Sequence, residues 1–315
     1  MGLCGPPLQK GSQVKNILLL ALILTGCGWF KGKPSHGDPS KTDQVKQKTV
    51  LYLELEKSQT DSDGFIQFDQ CDSLLFSGLV GIATEVNILA ARDVNGKWHR
   101  RSLQHPECYT GGSSSSTISR DMFIGLLWYV WRNKDLQTAE ELFDYGKDHD
   151  WIMGEGDPAR IYFTPGLQAT LAEIIYRLGG KNHLVYRNIP QVTAKNTDFA
   201  AHLDMLHILL RSELTGGVNA SEKEIIKYNY ERVPGNALFS FIYHKFEDGN
   251  QNETLDNLLN QSVFPADRLP TSADRCEPWI YQRDLGHNWQ PCNDGHTHSG
   301  GDLIFVSKLL FGNLM

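Results

Sequence analysis

Several acidic side chains stand where long polar stretches give way to helical periodicity: Asp72 after Cys71, Asp121 after Ser119 and Arg120, and Asp302 after Gly300 and Gly301. A carboxylate in a first helical turn is favoured by the free N–H groups and the helix dipole, so each has a structural reason to be there as a cap. There is also a chemical reason. Glycoside hydrolysis needs two carboxyl groups flanking the scissile bond, one as acid and the other as base or nucleophile. Asp72 and Asp121 are the first candidates for such work. The run Met153-Gly154-Glu155-Gly156-Asp157 supplies the next, because glycines on both sides of Glu155 suit a tight loop that holds a side chain towards a ligand. The same run also fits a plain solvated turn. Arg120 is a cation in a first turn, where the dipole opposes it, so it calls for a carboxylate or sugar partner.

His296, His298 and Asp302 have the residue types of a zinc site, although the two histidines lack the i, i+4 spacing of a helical pair. A proton-handling or sugar-binding His298 and a plain polar loop are the alternatives. Trp98, Tyr109, Trp151, Tyr162, Trp279 and Trp289 sit in polar stretches, where rings suit stacking on sugar faces. Trp98 and Trp289, with Asp157, are the expected substrate contacts beside Arg120 and His298. Trp128 and Trp131 fall inside an apolar helical run and are expected in the core. Asp61 to Asp69 brushes against a calcium loop, but Gln59 and Gln70 occupy the first and twelfth positions and argue against an EF-hand, leaving a looser calcium turn as the alternative. No Walker loop, GxGxxG after a strand, GxSxG or HExxH occurs, so no cofactor is implied and nucleotide, serine-esterase and zincin chemistry lose support.

The elements that must position these residues are helical. Asp72–Arg92, Arg120–Arg132, Leu136–Asp148, Pro165–Leu178, Phe199–Leu214, Ser221–Tyr230, Ala237–Phe246, Thr254–Asn260 and Asp302–Leu310 carry the helical period or matching start and stop signals. Ser221 and Glu224 have the spacing of a capping box. Val50–Glu56 reads as a short strand or an entry helix. Long connections over 98–116, 151–164 and 264–301 are rich in Trp, Arg, His, Asp and Gly, and loops of that length tend to carry function.

Acids at the starts of several helices meet in one cleft if those helices line a ring. Over Cys71 to Gly312 this arrangement resembles the (α/α) toroids of glycoside hydrolases and polysaccharide lyases. The resemblance implies a mainly α fold, a toroid or partial toroid with long irregular loops, and carboxylate acid–base chemistry on a polysaccharide. A non-catalytic glycan- or protein-binding role is the second expectation. A metal-dependent hydrolase built on His296, His298 and Asp302 is the third.

The formal net charge of −7 falls to −9 if residues 1–26 are removed, since that segment holds Lys10 and Lys15 and no acid. Without a Lys/Arg-rich block, a nucleic-acid binder is excluded. Lys10 and Lys15, the apolar run Ile17–Leu24 and a small-residue site form a secretory signal. Its eight apolar residues span about 12 Å, short of a ~30 Å hydrocarbon core. Leu24-Thr25-Gly26-Cys27 resembles the lipobox of bacterial lipoproteins. That resemblance implies cleavage before Cys27, acylation of its thiol and amine, and stable attachment to a membrane. Gly28 in place of Asp leans towards the outer membrane, facing the periplasm or the cell surface. The expected partners are then peptidoglycan or another envelope polysaccharide, with the chain a monomer. Residues 27–49, rich in Gly, Pro, Ser and Lys, read as a flexible tether, and 50–315 as a single helical domain. Cys71, Cys108, Cys276 and Cys292 remain for two disulfides in an oxidising compartment. Three connectivities are open, and Cys71–Cys108 with Cys276–Cys292 closes the shorter loops.

Overall fold

The computed structural model describes residues 37–58, 60–66, 73–80, 87–104, 117–155, 160–188, 199–261, 263–264 and 300–312. The chain is mainly helical. Its helices are α1 (Pro39–Ser58), α2 (Ser73–Val80), α3 (Arg120–Asn133), α4 (Leu136–Asp148), α5 (Pro165–Arg177), α6 (Phe199–Thr215), α7 (Ala220–Arg232), α8 (Ala237–Phe246), α9 (Asn252–Leu259) and α10 (Gly301–Phe311). Two short antiparallel strands, β1 (Ile152–Gly154) and β2 (Ile161–Tyr162), pair between α4 and α5.

Local chemistry sets most boundaries. Asp135 caps α4 by accepting from Thr138 N–H at 3.0 Å, and Asn236 caps α8 by accepting from Phe239 N–H at 3.1 Å. Thr164 precedes Pro165 at the start of α5, where a missing N–H costs nothing. The capping box of α7 is Asn219 with Glu222, two residues earlier than the expected Ser221 and Glu224. Both pairs have the right spacing. Glu222 is also fully buried against Arg211 at 2.8 Å, which fixes the earlier frame.

Two expectations are corrected. The tether expected over 27–49 is helix from Pro39 onward. Val45, Lys48, Thr49, Tyr52, Leu53 and Glu56 are buried at helical spacing, forming one stripe on an otherwise polar helix. The helix expected over Asp72–Arg92 is described only to Val80, and Ile88–Ala91 is a separate 3-10 turn.

Helix contacts close a circuit. α2 packs on α3, α3 on α6, α6 on α8, α8 on α10, and α10 on α2. The other five helices pack against members of that circuit. All of α2 and residues Gly301–Ser307 of α10 are buried. At the α2–α3 crossing the backbones touch: a Cβ built on Gly125 would lie 2.4 Å from the Leu75 carbonyl oxygen, and one on Gly78 would lie 2.3 Å from that of Gly125.

The running sense of these helices follows from paired contacts. Leu75 meets Gly125, while further on Arg132 donates to the carbonyls of Leu79 and Val80. Phe305 meets Trp128 edge-on at 5.8 Å, and Lys308 of α10 feels the charge of Arg132. Therefore α2, α3 and α10 run in the same sense, with their last turns together. α1 runs opposite to α10: Lys46 lies over Phe311, Thr49 donates to Ser307, and Tyr52 abuts Gly300. α7 likewise opposes α8, with Lys223 at Phe246 and Tyr230 stacked on Tyr243. Lys245 and Glu213, 3.1 Å apart, join the last turns of α8 and α6.

Candidate functional site

Because α3 shares its sense with α2 and α10, the starts of these three buried helices lie at the end opposite Arg132. Asp121 is in the first turn of α3. One of its oxygens accepts from the Ser119 hydroxyl and from Met122 N–H. The side chain of Arg120, in the same turn, is exposed and forms no ion pair or hydrogen bond with the described residues.

Glu155 is bound to the segment that leads into α3. Its N–H donates to Thr117 Oγ1 at 3.0 Å, and its carbonyl accepts from Thr117 N–H at 2.8 Å. Gly154 sits so close to Ile118 that a Cβ there would lie 2.6 Å from it. The four residues from Thr117 to Asp121 span at most about 14 Å, so two acids far apart in sequence share one neighbourhood. The Glu155 side chain is 80 % exposed and its carboxylate lies 3.4 Å from Lys97 Nζ.

Lys97 belongs to a tight turn. Asp93 Oδ1 accepts from the N–H groups of Asn95 and Lys97, and Gly96 takes a left-handed φ of 86°. The turn places His99 Nε2 3.4 Å from Asp93 Oδ2. Burial pushes the Asp93 carboxyl up, but hydrogen bonds from Asn95, Lys97 and His99 outweigh it and hold the group below its usual range. Burial holds the His99 imidazole below its usual value, against the pull of Asp93. Tyr145, packed on Gly96, keeps its phenol proton to a higher pH through burial and through the charges of Asp93 and Glu155. A solvent-facing carboxylate, an ammonium, an imidazole favoured as neutral and a retained phenol proton thus meet in one cluster. These are the residue types of general acid–base chemistry.

The turn is one of a pair. Asp61-Ser62-Asp63-Gly64-Phe65 repeats its plan: Asp61 Oδ1 accepts from the N–H groups of Asp63 and Phe65, and Gly64 has φ 81°. Thr60 bridges Ile66 as Arg92 bridges Trp98. Residues 61–66 of the segment weighed as a calcium loop form a backbone turn, with Asp63 Oδ2 accepting from the Ser102 hydroxyl.

Trp98 is corrected. Its ring is fully buried and lies beneath the Arg92 guanidinium, so it is a core side chain and offers no face to a sugar. Alternation after the turn sends Trp98 inward. Trp128 is in the core as expected, and Tyr162, on β2, is 51 % exposed. Asp302 is fully buried, with one oxygen accepting from Leu303 N–H. Among the described residues no group of three His, Cys, Asp or Glu side chains can hold a metal ion. Asp72, Asp157, Trp289, His296 and His298 lie outside the described residues, as do Cys27, Cys71, Cys108, Cys276 and Cys292.

No family model, no curated protein and no solved structure matches this chain. Among the described residues no helix is long and apolar enough to cross a membrane.

Reasoning from sequence missed Asp93, Lys97, His99 and Tyr145. The signal was present: Asn95-Gly96 is the strongest short hairpin dipeptide, and a turn there brings Asp93 back towards His99.

Proposed function

We propose that this chain is a lipid-anchored enzyme of the bacterial cell envelope that cleaves peptidoglycan or another polysaccharide by acid–base chemistry. The helices would form a partial (α/α) toroid, with α2, α3, α6, α8 and α10 lining it. Support comes from their closed circuit of contacts and from the common sense of α2, α3 and α10. The observation that carries the catalytic reading is the tie between Glu155 and the segment leading to Asp121. In this reading Glu155 and Asp121 form the carboxyl pair, joined by Asp72, the residue that precedes α2 in the sequence. Arg120 binds the substrate, and His99 with Asp93 relays protons at its edge. Lipid on Cys27 would hold the body beside its polymer, and the disulfides Cys71–Cys108 and Cys276–Cys292 would staple the connecting segments.

The test uses protein beginning at Gly28, incubated with peptidoglycan sacculi and a panel of neutral and acidic polysaccharides. New reducing ends indicate hydrolysis, and ultraviolet absorbance of an unsaturated product indicates elimination. Loss of a positioned acid or base costs roughly 10²–10⁴-fold, so Glu155→Gln and Asp121→Asn should each lower turnover by at least about 100-fold. Unchanged turnover in either variant removes that residue from the mechanism.

A second reading is a non-catalytic glycan-binding lipoprotein. It is favoured by the bonding of Asp121, whose carboxylate is held by Ser119 and by its own helix in the manner of a cap. Co-sedimentation with a polymer that is never cleaved would select it.

A further inference from the structure

The end of the body opposite Asp121 is the end at which α1 begins. There Gly37 abuts Leu255, the Asp38 N–H donates to Asn252 at 2.8 Å, and Lys41 pairs with Asp256 at 2.6 Å, so α1 and α9 start together. Glu253, next to Asn252, lies 3.0 Å from His244 and brings the last turn of α8 to the same end. The last turns of α10 and α3 are there too, through Lys46 over Phe311 and through the common sense of α3 and α10. These three last turns share one make-up, a partly exposed ring with an ammonium group over it. Lys134 Nζ lies 3.8 Å from the centre of the Trp131 ring, Lys46 Nζ 5.3 Å from that of Phe311, and Lys245 Nζ 5.7 Å from that of Phe246.

We propose that this end rests against the bilayer, with the Trp131, Phe246 and Phe311 rings at headgroup level and the Asp121–Glu155 end turned away towards the polymer. The proposal rests on the lipid-anchored reading above and adds the orientation of the body. Rings that are apolar on one side and wet on the other settle at the membrane–water boundary, and lysines beside them reach lipid phosphates while their stems stay on apolar surface. The leash enters at this end. Gly37 follows Cys27 by ten residues, at most ~36 Å of chain. From Pro39 to Tyr52, which abuts Gly300 at the start of α10, α1 rises about 20 Å. The candidate site therefore works about 20 Å or more beyond the lipid contact. That distance suits a glycan strand lying clear of the bilayer, and not one still attached to a lipid carrier.

The experiment expresses the full chain in a bacterium, purifies it from the membranes and reconstitutes it into vesicles of phosphatidylethanolamine and phosphatidylglycerol. A fraction of the lipid carries a photoreactive diazirine in the upper acyl chain. Illumination and peptide mass spectrometry then locate the lipid-linked residues. Per residue, 130–134, 245–246 and 309–312 should carry at least ~5-fold more lipid than 93–97, 120–121 and 160–162, because interfacial contact reaches only ~5–10 Å into the headgroup boundary. Lys46 is exposed, so Lys46→Glu leaves the core untouched. Its carboxylate faces lipid phosphate, and labelling of 309–312 should fall at least ~3-fold. Equal labelling of the two ends, or no change in Lys46→Glu, overturns the orientation and leaves the anchor standing. The intact mass tells the two apart: a chain without acyl groups on Cys27 ends the anchoring reading and this proposal with it.

Discussion

Replacing Gly125 by alanine tests the crossing that holds the start of α3 in place. The added Cβ would sit 2.4 Å from the Leu75 carbonyl oxygen, 2.5 Å from its Cα and 2.8 Å from its carbonyl carbon. Ordinary contact begins at about 3.5 Å, so α2 and α3 must part by about 1 Å. All three opposing atoms are backbone, and α2 is buried along its whole length, so no flexible side chain can absorb the shift. Overpacking of this kind costs roughly 1–3 kcal/mol, and the rigid surroundings argue for the upper end. Alanine recovers up to about 1 kcal/mol through its helix propensity. A net loss of about 2 kcal/mol follows, or about 4–8 °C in melting temperature for a domain of this size. Urea unfolding followed by circular dichroism reads it. Gly217→Ala, where a Cβ meets open space, serves as control and should stay within about 0.5 kcal/mol of wild type. In Gly78→Ala/Gly125→Ala the two losses should sum to more than the measured effect, because helices already parted accept the second methyl more readily. A Gly125→Ala protein as stable as wild type would show that the backbones do not touch.

Two further perturbations test the body. His207 is held neutral down to about 4 by burial and by the charge of Arg211, with its Nε2 3.0 Å from Thr170 Oγ1. The unfolded chain takes up a proton at 6.5 that the folded one refuses, so stability is full above about pH 7 and falls as pH drops from 6.5 towards 4, by on the order of 3 kcal/mol. Unfolding free energies across that window should lose much of their slope in His207→Gln, and an identical slope would contradict the assignment. Glu222→Ala strands the Arg211 charge and removes the α7 capping box together, so a loss of about 3–5 kcal/mol is expected in urea unfolding. A loss below about 1 kcal/mol would mean that Arg211 finds water instead.

Much of the helical frame was legible because periodicity and caps agree there. Leu136–Asp148 and Ala237–Phe246 fall where Asp135 and Asn236 precede apolar periods, and α3 departs by one residue at its end. α1 was hidden by averaging. Its composition is that of a linker, and only the placement of Val45, Thr49, Tyr52 and Leu53 on one face reveals a packed helix. The running sense of the helices depends on contacts such as Arg132 with Leu79 and Val80, which no local pattern encodes. At the site, Asp121 and Glu155 were legible as single residues, but their proximity was not. It rests on backbone hydrogen bonds between Thr117 and Glu155, which carry no residue preference. Trp98 was misjudged because a tryptophan in a polar stretch looks available, and only the geometry of the Gly96 turn decides which way it faces.

The pairing of the first helix with the last has a consequence for how the chain matures. Thr49 and Ser307, 258 positions apart, share a hydrogen bond, and Tyr52 closes over Gly300. The early helix therefore has no finished bed to lie in until the final eleven-residue helix has been made. Such distant pairings form late and slowly. Under the export proposed above, a polypeptide threaded through a membrane start-first would reach the far side with its apolar stripe uncovered. It would depend on holding factors there until its tail followed.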